Sequence, residues 1–131
     1  MADVSDARAE SIHDLGALTL RSFREGDMHV VAFGGELDLS GLGLVERELG
    51  RVEASDAGVI VLDLAELDFI DSGGVRLVVL ADRREHDRLV VVRGRRGVQR
   101  VFELCGVVRE LLFVDACPQA TRATETRTVV A

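Results

Sequence analysis

The run Val59-Ile60-Val61-Leu62-Asp63-Leu64 constrains this chain more than any other stretch. It has the length of a strand and is apolar on consecutive rather than alternate residues, which predicts a central strand covered on both faces. A second apolar stretch, Val75, Leu77, Val78, Val79, Leu80 and Ala81, has helical length and turns charged at Asp82-Arg83-Arg84-Glu85-His86-Asp87. A helix apolar around most of its circumference must be buried by more than one neighbour, or cover a sheet and dock a partner. Another strand-length run, Leu89-Val90-Val91-Val92, follows. Strand, helix, strand at this spacing requires parallel pairing through a right-handed crossover. At the first strand-to-helix junction stands Leu67-Asp68-Phe69-Ile70-Asp71-Ser72-Gly73-Gly74, with one hydroxyl between an acid and two glycines.

The remaining elements extend this pattern. Leu18-Thr19-Leu20-Arg21-Ser22-Phe23-Arg24 alternates apolar and polar residues, as a half-exposed strand does. Glu25-Gly26-Asp27 is a turn signal, and His29-Val30-Val31-Ala32-Phe33-Gly34-Gly35 is a second strand, so the two predict an antiparallel hairpin. Ser40 is the expected N-cap of an amphipathic helix built on Leu42, Val45, Leu49 and Val52. Downstream, Gly94-Arg95-Arg96-Gly97 is a loop. Val98, Val101, Phe102 and Cys105 form the inner face of another helix, which Gly106 caps. Leu111-Leu112-Phe113-Val114 is a short last strand. The fold class is α/β: one domain over residues 17–116, with a mixed β-sheet of an opening antiparallel hairpin and then parallel strands, packed with three to four helices. Residues 1–16 are expected to be a flexible tail, with a short helix near Arg8 to His13 as the alternative. Residues 117–131 are expected to form a weak helix or a second tail.

Composition removes several function classes. The 131-residue chain carries a net charge of −7, which argues against a general nucleic-acid binder, since phosphate contacts need clustered cations. No apolar run approaches the roughly 20 residues of a membrane-spanning helix. The acidic, polar opening is unlike a secretory signal, so a cytoplasmic location is expected. Cys105 and Cys117 are too few for a disulfide framework or a zinc site, and Cys105, on an apolar stripe, is expected to be a buried thiol. His13, His29 and His86 have no metal-ligand spacing, and His29 and His86 read as solvated surface residues. A phosphate-binding loop needs a lysine, and every cation of this chain is arginine. No cofactor motif is present. The nucleophile elbow Gly-x-Ser-x-Gly is missing because Ile70 precedes Asp71-Ser72-Gly73. A non-enzymatic protein is the expectation.

The residues left to carry function cluster in two stretches. Ser72, at a helix N-terminus on the C-terminal edge of a sheet, lies where unpaired N–H groups and the helix dipole favour an anion. A phosphoryl group there adds about −1.5 to −2 charges. Asp71 or Ser72 equally suits an ordinary N-cap, and on the local physics both readings stand. Glu36 and Asp38 follow the second strand and can reach the same sheet edge. Asp38 is also suited to cap the turn into the first helix.

Gly35-Glu36-Leu37-Asp38, followed by Val61-Leu62-Asp63-Leu64 and Phe69-Ile70-Asp71-Ser72-Gly73-Gly74-Val75-Arg76, resembles the STAS domain of anti-sigma factor antagonists from about Leu18 to Asp115. The resemblance implies that Ser72 is a phosphoacceptor and that an unphosphorylated antagonist binds an anti-sigma factor that is itself an ATP-dependent serine kinase. Phosphorylation then releases the antagonist, and a phosphatase resets it. It implies a partner-binding surface of Glu36, Asp38, Ser40, Asp71, Ser72, Gly73, Gly74, Val75 and Arg76, with neither nucleic acid nor membrane as partner and a weak homodimer left open. Gly73 stands where the family commonly has a second serine. The alternatives are a STAS module without a live phosphosite in a transport or signalling complex, and a nucleotide-binding protein.

Overall fold

Where apolar and polar residues alternate, the chain forms an antiparallel ribbon, and where apolar residues run on, it forms parallel strands. The structure, a computed structural model, describes residues 11–15 and 17–118. Strands β1 (Ser11–Leu15), β2 (Leu18–Glu25) and β3 (Met28–Leu37) pair antiparallel in sequence, and the β2–β3 turn uses Gly26 at φ 60°. Strands β4 (Val59–Ile70), β5 (Leu89–Val92) and β6 (Phe113–Val114) then add in parallel, each beside the one before it. The spatial order of the six strands is their order in the chain.

Three helices make the crossovers: α1 (Leu42–Glu53), α2 (Ser72–Arg84) and α3 (Arg96–Leu104). Every crossover steps one strand in the same direction with the same hand, so all three helices fall on one face of the sheet. The main core records this. Val45, Leu49 and Val52 of α1, Val75, Val78 and Ala81 of α2, and Val98 and Phe102 of α3 pack on Leu20, Val31, Phe33, Ile60, Leu62 and Leu64. The apolar α2 is buried by the sheet below and by α1 and α3 at its sides. A smaller cluster of Met28, Val30, Val61 and Val92 lies on the other face. Both faces of β4 are thus buried, as the consecutive apolar residues Val59 to Leu62 require, but the described helices cover only one of them.

Several expectations change. Residues 11–15 belong to an edge strand rather than to a tail: backbone pairing with β2 needs no apolar stripe, and Ile12 is exposed. The expected tail and short helix before them, and the weak helix or tail after residue 118, lie outside the described residues. The last strand shrinks to Phe113–Val114, because Val108–Glu110 winds into a 3-10 turn just before it. Cys105 is exposed, since α3 ends at Leu104 and the chain turns away at Gly106, φ 75°.

His29 is buried rather than solvated. It lies on the helix-covered face, where its Nε2 is 2.8 Å from the buried hydroxyl of Ser22 and its Nδ1 has no partner among the described residues. Burial, then the nearby Arg24 and Arg51, hold its pKa below the usual histidine value, while Glu48 opposes them. The folded protein therefore keeps His29 neutral, whereas the unfolded chain takes up a proton near pH 6.5. Stability from this site is complete above that pH and is lost as pH falls below it, by at most about 1.4 kcal/mol per pH unit. A His29→Gln chain is expected to show a flatter dependence of Tm on pH between 6.5 and 5 than the wild type. Parallel curves for the two chains would exclude His29 as the cause.

Candidate functional site

Strands β3 and β4 stay paired to their last residues, with Glu36 opposite Phe69 and Leu37 opposite Ile70. The N–H of Asp71 then donates to the carbonyl of Leu37 at 3.2 Å. Asp38 and Asp71, the next residues along each strand, are thereby held at one sheet edge, as the sequence suggested. Gly35 supports this edge from behind. Its φ is +80°, and a Cβ there would stand 1.8 Å from the carbonyl oxygen of Ala17, so the position excludes every side chain. The same carbonyl accepts from the N–H of Glu36 at 2.8 Å.

The two aspartates do the same local work. Each has extended backbone before a helical turn. Asp38 Oδ1 accepts from the N–H of Ser40 at 3.1 Å and from the Ser40 hydroxyl at 2.8 Å. Asp71 Oδ1 accepts from the N–H of Gly74 at 2.9 Å, capping α2. Each such cap is worth about 1 kcal/mol. Ser40 was the expected N-cap of α1. Instead, Gly41 holds that place without a side-chain bond, and Ser40 satisfies Asp38.

Because Asp71 caps the helix, Ser72 is released from capping. It is the first residue of α2, it is exposed, and its hydroxyl has no hydrogen-bond partner among the described residues. The hydroxyls of Ser22, Ser40 and Ser55 are all engaged, with His29, Asp38 and the Val52 carbonyl. Ser72 is therefore the one serine hydroxyl among these four that is open to an incoming reagent.

The two glycines after it differ. A Cβ on Gly73 would meet Asp71 Oδ1 at 3.3 Å and Leu42 Cδ1 at 3.4 Å, close but short of collision. A Cβ on Gly74 would stand 2.7 Å from Ile70 Cγ1 and 3.0 Å from Leu37 Cγ, inside the core. Gly74 and Val75, expected on the partner-binding surface, are buried and pack beneath it. Glu36, Ser40, Ser72 and Arg76 are exposed, and Asp38, Asp71 and Gly73 are half-buried.

The edge also carries two exposed apolar side chains that the sequence reading left out. Leu39 is 80% exposed and Phe69 is 47% exposed. Phe69 turns outward because the β3–β4 register shifts between Gly35 and Glu36, inserting one extra residue in β4. The signal was available: Leu67 and Ile70 are both core residues three apart, so the two residues between them must both face away. Arg95, at the start of α3, pairs with Glu66 at 3.1 Å and with Asp68, tying the β5–α3 loop to this edge.

No general base serves Ser72 from within the described residues. His29 starts β3 at the opposite end of the sheet, and His86 follows the far end of α2. No group of three or more His, Cys, Asp or Glu side chains converges as a metal site among the described residues, and no helix there is long and apolar enough to cross a membrane. The edge offers an unactivated, accessible hydroxyl on a firm turn, flanked by carboxylates and two apolar side chains. Such a hydroxyl is suited to receive a group from another protein's active site.

A protein-family model described as "Mlab, STAS domain" matches residues 20–114. The anti-sigma-F factor antagonist RsfB of Mycobacterium tuberculosis, from strains CDC 1551 and H37Rv, is 28% identical over 94 residues, covering 63% of this chain and 77% of the relative. Among solved structures, an anti-sigma factor antagonist from Mycobacterium paratuberculosis superposes with a TM-score of 0.63 at 20% identity, covering 86% of this chain and 90% of that one. The anti-sigma factor antagonist SpoIIAA in its unphosphorylated form gives a TM-score of 0.55 at 21% identity, over 81% of this chain and 88% of its own.

Proposed function

Because this chain belongs to the STAS domain family, we propose that it is an anti-sigma factor antagonist whose hold on its partner is controlled by phosphorylation of Ser72. The observation that carries the reading is the exposed, unbonded Ser72 hydroxyl beside Asp38 and Asp71. The unphosphorylated edge presents Leu39 and Phe69 as apolar anchors, with Glu36, Ser40 and Arg76 around them. The partner is an anti-sigma factor with serine kinase activity. Ser72 Oγ attacks the γ-phosphorus of ATP held by that kinase. The new O–P bond forms as the bond to ADP breaks, and the hydroxyl proton passes to a base of the kinase. The product adds about −1.5 to −2 charges beside two carboxylates that are already there. A phosphatase restores the hydroxyl. The action takes place in the cytoplasm, where kinase and ATP are found, and binding rather than catalysis is this chain's part in it.

The test is to incubate the full chain with ATP and a cognate kinase and to measure the intact mass. One phosphoryl group is expected, mapping to Ser72 and absent from Ser72→Ala. Phosphate on another residue would overturn the reading. Stable complex formation with no phosphate on Ser72 would instead favour a STAS subunit without a live phosphosite, in keeping with Gly73 in place of a second serine.

A further inference from the structure

We propose that Arg76 clamps the phosphoryl group carried by Ser72 within the same chain, so that phosphorylation withdraws a cation from the docking edge as well as adding an anion to it. The inference rests on the reading of Ser72 as phosphoacceptor and gives Arg76 a defined part in that switch.

The first ground is the geometry of α2. Ser72 and Arg76 are four residues apart on this helix, and both are exposed. Gly74, Val75, Leu77, Val78 and Val79 are buried, so the helix turns its Ser72–Arg76 face to solvent. Residues at this spacing carry Cβ atoms about 5–6 Å apart. Cα–Cβ bonds in a helix tilt toward its N-terminus, so a long side chain covers the turn before its own Cα. For Arg76 that turn begins at Ser72. An anion four residues before a cation is also the favoured order of such a pair.

The second ground is that Arg76 is uncommitted. Arg83 and Arg84 of the same helix hold Glu110 and Glu53, and Arg88, Arg93 and Arg95 hold Glu85, Asp115 and Glu66. Arg76 makes no ion pair or hydrogen bond among the described residues, although acids outnumber arginines 23 to 16 in the chain. Its helical neighbours explain why. The positions three and four residues away are Ser72, Gly73, Val79 and Leu80, none of them acidic. At the sheet edge, Asp38 Oδ1 is taken up by Ser40 and Asp71 Oδ1 by the Gly74 N–H. Phosphorylation of Ser72 places an acid within one helical turn of Arg76.

The two groups fit each other. A phosphoserine presents three acceptor oxygens, and a guanidinium meets two of them through parallel N–H donors. In the unmodified protein Arg76 is a free cation at the rim of the docking edge, suited to a carboxylate of the anti-sigma factor. Once clamped on the phosphate, it no longer offers that charge. The phosphorylated edge therefore loses an attraction and gains a repulsion together.

The test installs phosphoserine at position 72 of the full chain by genetic encoding and follows its phosphorus NMR signal as pH is varied. The second phosphate pKa, about 6 in ordinary phosphoserine, is expected to lie about half a pH unit lower in the wild-type background than with Arg76→Gln, because a nearby cation favours the dianion. Glu36, Asp38 and Asp71 raise this pKa and the helix N-terminus lowers it in both chains, so the difference reads the guanidinium alone. Arg76→Lys is expected to fall between the two, since it keeps the charge and loses the planar fork. Arg96, which opens the neighbouring α3 and likewise makes no ion pair among the described residues, supplies the control. Arg96→Gln is expected to leave the pKa at the wild-type value. Equal values for the wild-type background and Arg76→Gln overturn the proposal, as does a shift that follows Arg96 instead of Arg76. Because no kinase is needed to install the phosphate, failure of Ser72 as a kinase target appears only in the intact-mass assay, and failure of the clamp only in this titration.

Discussion

A Ser72→Asp chain is expected to bind its anti-sigma factor about a hundredfold more weakly than the wild type, a loss of roughly 2.7 kcal/mol. Ser72→Ala is expected to bind within about twofold of the wild type, because the Ser72 hydroxyl has no hydrogen bond to lose among the described residues. The asymmetry follows from the surroundings. Asp71 and Asp38 are half-buried at the same edge, with Leu39 and Phe69 exposed there. Docking a partner on these apolar groups desolvates the edge, and a new carboxylate in a desolvated acidic setting costs several kcal/mol. Part of the cost is repulsion and part is desolvation, so raising the salt should narrow the gap between the two variants without closing it. Calorimetric titration at two ionic strengths measures both quantities. Equal affinities for Ser72→Asp and wild type would remove charge as the switching agent.

Gly74→Val is expected to lower stability by about 3 kcal/mol, seen as a fall in Tm of roughly 10 °C. The new side chain would enter a space held by Leu37 and Ile70, which are 0% and 1% exposed. It would also press on the peptide whose N–H is bonded to Asp71, so the cap weakens with the packing. Gly73→Ser is the matched control. Its Cβ contacts are at 3.3 Å or beyond, one of them to an oxygen and one to a methyl at the end of a leucine, so its cost should stay within about 1 kcal/mol. Thermal unfolding of the two variants separates a glycine required by packing from one that is merely present. Equal melting temperatures for both would contradict the geometry.

The alternation of strand and helix was legible because burial on two faces leaves a single polar residue, Asp63, in the Val59 to Leu64 run, and few structures satisfy that. The pairing of the Asp38 and Asp71 loops was legible for the same reason: parallel neighbours deliver successive loops to one edge. What escaped the sequence reading depends on partners that a local window does not contain. His29 looked like a solvent-facing residue until β2 placed Ser22 beside it. Strand β1 is held by main-chain bonds to β2, which leave no trace in side-chain pattern. Phe69 faces outward only because of a register shift, and Cys105 only because α3 stops before it. The division of labour at the turn, with Asp71 capping and Ser72 free, became visible only with the side chains in place.

The coincidence of spatial order with chain order has a bearing on synthesis. Each strand emerging from a ribosome finds its neighbour already made, so no early segment waits for a distant one. The β1–β2–β3 ribbon can serve as a template on which β4 docks, and α2 then seals the Asp71 turn. The Asp71-Ser72 turn is therefore complete on the nascent chain before β5 and β6 exist. The last-made edge accretes onto a turn that is already assembled.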